Sequence, residues 1–241
     1  MSPATSNGQT LSPPIIHLVR HAQGWHNVDD DSTIKDPTLT PSGENQAHTL
    51  ASQFPYHDQI THIICSPMKR TIQTTLLGFK PALDRGVQVT VLPEFQECGD
   101  WPADTGTDRS LLEKEFGRPG WDFRGVVDGW NSKSGKWASD HPSLVARARE
   151  ARRILKSIKG QHIVVVTHGA FLHYLTEDWS DFKSGHGTGY ANAEYRSFAF
   201  VPGTNGNDSI AEIEESRIRR TGTEHGLGKA ETRELKATHV I

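Results

Sequence analysis

Residues 161–175 read QHIVVVTHGAFLHYL. The first half is a short, continuously apolar, β-branched run, the pattern of a strand buried on both faces. The second half has helical character, and His168-Gly169 stands at the junction. A strand that ends in His-Gly and turns directly into a helix indicates an α/β fold, with something chemical at the strand's carboxyl end. The same rhythm recurs on both sides. IIHLV (15–19) is a strand candidate that runs into Arg20-His21. THIIC (61–65) is another and runs into Ser66-Pro67; Arg70 falls on the first turn of the next helix, MKRTIQTTLLGF. VQVTVL (87–92) and YRSFAFV (195–201) read as strands. ENQAHTLASQF is a helix entered near Ser42, and residues 144–158 form an amphipathic helix with Val145, Ala148, Ile154, Leu155 and Ile158 towards a core. Apolar strands alternating with helices predict an α/β three-layer sandwich: a mostly parallel central sheet flanked by helices.

Three segments break the rhythm. Residues 1–14 are rich in Ser, Thr, Pro and Gly and read as a flexible lead-in, without the pattern of a secretory signal. Residues about 99–142 hold four of the six tryptophans, Trp101, Trp121, Trp130 and Trp137, among Gly and charged residues, with LLEKEF as a lone helix candidate. This reads as a Trp-rich lid inserted into a domain spanning 15–202. Residues 203–241 read as a polar C-terminal extension, with an extended segment near 209–213 and then a mobile tail. These segments account for the low hydrophobic share of 34%.

Net charge is -3, from 26 Lys+Arg against 29 Asp+Glu, which argues against a chain built to coat nucleic acid or acidic membranes. Two cysteines, Cys65 and Cys98, exclude a disulfide scaffold and favour a reducing, cytoplasmic setting. The unusual figure is 13 histidines. They show neither an HExxH pair nor a metal-type spacing, so no metal or cofactor is expected. Strand ends in an open α/β sheet converge on one crevice. Arg20, His21, Arg70 and His168 therefore meet there. Guanidinium forks match phosphoryl oxygens, and a neutral imidazole is a nucleophile near pH 7. An alkoxide leaving group also needs a proton. Glu94 and Glu97, just beyond 87–92, both stand where a proton donor is wanted.

LVRHAQGWHN, SPMKRTIQT and VVVTHGAF, in that order, resemble the histidine phosphatase superfamily, also called the phosphoglycerate mutase-like family. RHAQGWHN and GTGYANAEYRSF resemble its branch of small fungal and plant proteins. The resemblance implies a metal-independent phosphatase acting on a small phosphate ester. His21 is the implied phosphohistidine-forming nucleophile. Arg20, Arg70, His168 and Asn27 are the implied phosphoryl contacts, and Glu97 is the acid, with Glu94 as second choice. A mutase-type phosphotransferase is the alternative, although the LNERHYG acid motif and the Ser/Trp-Asn of mutases do not stand here. A binding protein, or one redirected to non-phosphate chemistry, is a further alternative on the same fold. His26 and His173 are possible neighbours of the site, and Lys183, His186 and Tyr190 can border it. Arg147, Arg149, Arg152 and Arg153 read as a solvated helix face, and Cys98 as the more exposed thiol.

Overall fold

The structure is a computed structural model that describes residues 14–179, 188–204, 206–224 and 226–238. Its centre is a seven-stranded sheet. The strands are β1 (Ile15–Arg20), β2 (Ile60–Cys65), β3 (Gln88–Val91), β4 (Trp121–Asp122), β5 (His162–Thr167), β6 (Tyr195–Phe200) and β7 (Ile210–Glu212). Their order is β4-β3-β2-β5-β1-β6-β7. The block β4-β3-β2-β5-β1 is parallel, and β6 and β7 extend it in antiparallel fashion. The helices are α1 (Pro41–Gln53), α2 (Lys69–Gly78), α3 (Lys80–Asp84), α4 (Arg109–Phe116), α5 (His141–Ser157), α6 (Gly169–Thr176), α7 (Glu214–Arg220) and α8 (Lys229–Ala237).

Alternation along the strands divides the core in two. Ile16, Leu18, Ile163 and Val165 face α5 and α6, while Val19, Val164 and Val166 face the layer that holds Ile72 and Phe79. All six residues of β5 are buried, as its unbroken apolar run requires.

Helix starts obey local chemistry. Thr40 caps α1 by accepting from the Gly43 amide at 3.0 Å, with Pro41 in the first turn. Asp140 caps α5 through the Ser143 amide at 3.1 Å. Met68 cannot cap α2, and the remote Asp36 does so instead. Its Oδ1 accepts from the Lys69 amide at 3.0 Å, and its Oδ2 accepts from the Thr107 amide and hydroxyl at 2.9 and 2.7 Å. Asp36 thereby ties the start of α2 to the inserted segment.

Several sequence expectations are corrected. The insertion is partly structural: it supplies β4 at the sheet edge, and Trp130 and Trp137 are buried in the core beside Ile72 and Val89. Residues 214–220 and 229–237, expected in a mobile tail, are helical, and Leu235 joins the core. On α5, Val145 faces outward, whereas Arg147 and Arg152 are buried. Arg152 turns inward to the carbonyls of Tyr174 and Leu175, both at 3.2 Å, and to Glu177 at 3.0 Å. Paired and hydrogen-bonded in this way, a guanidinium can be buried. Cys98 is buried, and that burial pushes its thiol well above the ordinary value. Among the described residues, no helix is long and apolar enough to cross a membrane.

Candidate active site

Strand register builds the site. Arg20 pairs with Thr167, and Cys65 with Val166, so the residues just beyond these strands fall on one edge. The His21 amide donates to the Thr167 carbonyl at 2.9 Å, and the Ser66 amide to the Val166 carbonyl at 3.1 Å. His21, Ser66 and His168 therefore emerge side by side, and the His21 and His168 ring centroids lie 5.2 Å apart.

His21 is buried. Its Nδ1 lies 2.8 Å from the Ala22 carbonyl, which can only accept, so the proton sits on Nδ1 and the lone pair on Nε2. Arg70 Nε donates towards that Nε2 at 3.2 Å. Burial, then Arg70, His26 and Arg20, hold His21 well below the ordinary histidine value. The ring is therefore neutral at physiological pH. The loop behind it is fixed: the Ala22 amide donates to Thr74 Oγ1 at 3.0 Å, and the Gln23 amide to Gln46 Oε1 at 2.8 Å. Gly43 allows α1 to approach this loop, because a Cβ there would stand 2.1 Å from the Gln23 carbonyl oxygen.

Arg70 is oriented by the insertion. It donates to the Ala103 carbonyl at 2.7 Å and to Asp104 Oδ1 at 3.1 Å, and both charged groups are buried. His168 Nε2 lies 2.9 Å from Ser66 Oγ. A hydroxyl donating there leaves the His168 proton on Nδ1, which has no partner among the described residues. Arg20 contacts the Tyr190 carbonyl and Glu231, and its Nε is likewise unpartnered among the described residues.

Glu97 joins this group. Its Oε1 accepts from the amides of Cys98 and Phe171 at 2.9 and 3.0 Å. Burial and then Asp104 raise its carboxyl above the ordinary range, with Arg70 acting in the opposite direction. Lys133 Nζ and Arg147 both donate to the Glu97 carbonyl, at 3.2 and 3.3 Å. Burial lowers Lys133 to about 8. Glu94 lies in the short 3-10 turn just before it, Pro93–Phe95, and is paired with Lys136 at 2.7 Å.

Asn27 lies beside Arg20 on the wall of a cavity of about 520 Å³ that Asp30, Asn192, Gly228 and Lys229 also line. Its Oδ1 accepts from the Gly24 amide at 3.0 Å, and its Nδ2 contacts His26 Nε2 at 3.1 Å. His26 is buried, 5.5 Å from His21 between ring centroids, and burial followed by Arg70 and Arg20 lowers it to about 2. His173 is buried against Glu231, 3.4 Å from it. Lys183 and His186 lie outside the described residues. Tyr190 is buried under Arg196, whose guanidinium is 3.7 Å from the ring centroid.

The structure thus brings Arg20, His21, Asn27, Arg70, Glu97 and His168 to one end of the sheet. It adds groups that the sequence did not single out: Ser66, Lys133, and the carboxylates of Asp104, Glu231 and Glu234. Ser66 was recoverable as the residue directly beyond β2. Nothing in the local sequence of the three carboxylates marks them as buried. Among the described residues, no group of three or more His, Cys, Asp or Glu is arranged to hold a metal ion.

Comparison with known proteins agrees with this architecture. A probable phosphatase of Schizosaccharomyces pombe is 32% identical over 164 residues, covering 64% of this chain and 73% of its own. A phosphoglycerate mutase-like protein of Arabidopsis thaliana is 31% identical over 242 residues, covering 80% and 87%. Among solved structures, the ecdysone phosphate phosphatase of Bombix mori, in complex with tungstate, shares the fold at 14% identity. Its TM-score is 0.56, over 83% of this chain and 92% of its own. A mycobacterial glucosyl-3-phosphoglycerate phosphatase does so at 17% identity and a TM-score of 0.52, over 83% and 97%. Residues 16–211 match the histidine phosphatase superfamily (branch 1), and the chain belongs to that family.

Proposed function

We propose that the protein is a metal-independent phosphatase that hydrolyses a small phosphate monoester through a phosphohistidine on His21. The observation that carries this reading is the state of His21: neutral, with Nδ1 committed to the Ala22 carbonyl and Nε2 turned to the Arg70 guanidinium. A phosphoryl group drawn to Arg70 meets that lone pair. Arg20 Nε and His168 Nδ1 supply further donors, and Asn27 borders the cavity beside Arg20.

In the first step, Nε2 attacks phosphorus and the ester P–O bond breaks. The leaving oxygen takes the proton of the Glu97 carboxyl, whose raised affinity for a proton suits it to the donor role. In the second step, water attacks phosphorus and gives a proton to the Glu97 carboxylate. The P–N bond breaks and returns neutral His21. Dividing the reaction in this way replaces one very slow displacement with two easier ones. Two guanidiniums offset the phosphoryl charge, so the scheme calls for no metal. The phosphatase relatives support the hydrolytic half of the reading.

The test is release of phosphate from an aryl phosphate, combined with rapid-quench mass spectrometry of the peptide containing His21. An acid-labile phosphoryl group on His21 is expected. Its absence at full turnover, or full activity in His21→Ala, overturns the mechanism.

A further inference from the structure

The groups assigned to catalysis are almost inaccessible: His168 is 0% exposed, Arg70 1%, His21 2% and Glu97 4%. Part of the cover comes from α8. Glu231, in its first turn, is buried and places Oε2 3.4 Å from the Arg20 guanidinium. Its other oxygen faces His173 Nε2 at 3.4 Å. Gly169 makes room for it, because a Cβ there would stand 2.8 Å from the Glu231 side chain. Glu234, on the same face, is buried against Glu97 and Asp104. The helix is also held by other ties: Arg233 pairs with Asp30 on the cavity wall at 2.6 Å, the Tyr174 hydroxyl donates to Thr238 at 2.9 Å, and Leu235 packs in the core. The preceding stretch carries Gly222, Gly226 and Gly228.

We propose that α8 is an internal, competing ligand of the site. The Glu231 carboxylate holds one terminal nitrogen of Arg20 and sets a negative charge beside the place a phosphoryl anion must take, so substrate enters by displacing α8. This rests on the reading of Arg20 as a phosphoryl contact. Arg20 keeps its Nε unspent for a phosphoryl oxygen, but a carboxylate and a phosphoryl anion on neighbouring nitrogens of one guanidinium repel each other, so the two compete for it. Burial alone would push the Glu231 carboxyl up, but Arg20 and His173 hold it down to about 2. It therefore enters the site as an anion at physiological pH. Glu234 is different: burial, then Asp104 and Glu97, push its carboxyl well up. Phosphate affinity is accordingly reduced by the fraction of molecules in which α8 is docked.

The experiment uses the full chain, with inorganic phosphate as the probe in calorimetry. Glu231→Gln keeps the helix and the shape of the side chain but removes the charge, and should bind phosphate about tenfold more tightly than the native chain. Arg233→Ala removes the tie to Asp30 and leaves Glu231 in place, and should tighten binding about threefold. Hydrogen exchange of amides 230–237 in the native chain should accelerate when phosphate is saturating. Unchanged or weaker phosphate binding in both variants, or slower exchange on phosphate addition, overturns the proposal. The two readings separate cleanly. Tighter phosphate without hydrolysis in any variant keeps the plug and discards the phosphatase. Hydrolysis lost in His21→Ala without tighter phosphate in either variant does the reverse.

Discussion

Strand β1 carries two buried histidines, His17 towards one end of the sheet and His21 just beyond the other, and their surroundings differ in kind. His17 has both nitrogens engaged by neutral partners: Ser197 Oγ at 2.8 Å and His162 Nδ1 at 2.9 Å. Its ring stacks on Tyr56 at 4.9 Å and meets Phe54 edge-on at 5.0 Å. His21 has one nitrogen on a carbonyl and the other facing Arg70, with Arg20, His26 and His168 close by. Burial is the largest cause of a lowered proton affinity in both, so the shift does not tell them apart. The partners do. The direct contacts of His17 are neutral and saturated, which suits packing; His21 has guanidiniums and unspent donors beside it, which suits the nucleophilic role proposed for it.

Substitution should separate the two ends most sharply. His21→Ala is expected to lower kcat by about 10⁴-fold or more, because the nucleophile goes, with the melting temperature little changed. A loss of less than tenfold would place both histidines in the same structural class. Next in size is Glu97→Gln. It should lower hydrolysis of an alkyl phosphate by about 10²- to 10⁴-fold and of a nitrophenyl phosphate far less, since only the poor leaving group needs a proton. Equal losses on both esters would remove Glu97 from the acid role.

His17→Ala should do the opposite of His21→Ala. Loss of a packed ring and stranding of Ser197 and His162 are expected to cost about 2–4 kcal/mol in urea unfolding. The kcat of the folded protein should stay within about twofold. A large fall in kcat would show that the two ends are coupled.

The smallest effect is in pH. His17 is lowered from 6.5 to about 3 by burial, then by His162 and Arg219. The unfolded chain takes the proton first, so this contribution is intact above pH 6.5 and is lost as pH falls from 6.5 towards 3. Urea midpoints should drop through that window. His17→Gln should flatten the slope by about 1.4 kcal/mol per pH unit, one proton's worth. An unchanged slope would mean that His17 takes up its proton in the folded state as readily as in the unfolded one.

The contrast also marks how far the sequence could be read. Residues 15–21, 60–66 and 162–169 announce themselves locally. An apolar β-branched run must be a buried strand, and the residues directly after it must lie at the sheet's edge, so His21 and His168 were placed by pattern, and Ser66 could have been. Glu97 was preferred to Glu94 only by resemblance, because both follow β3 closely, and their surroundings came from the fold. The fold gives one to the Cys98 and Phe171 amides and the other to Lys136. Helix α8 (KAETRELKA) was illegible, since its inward face is Glu231, Glu234 and Leu235, which reads as a solvated surface. Arg147 and Arg152 misled for the same reason.

The sequence by itself determined the alternating strands and helices, the two-sided burial of β5, and the histidines at the strand ends. These come from the spacing of apolar residues along a single segment. Only the tertiary structure decided which charges are buried. A carboxylate or guanidinium leaves water only where an opposite charge or a set of dipoles meets it. For Glu231, Asp104 and Arg152 those partners come from segments far away in the chain: Arg20 and His173, Arg70, and the carbonyls of Tyr174 and Leu175.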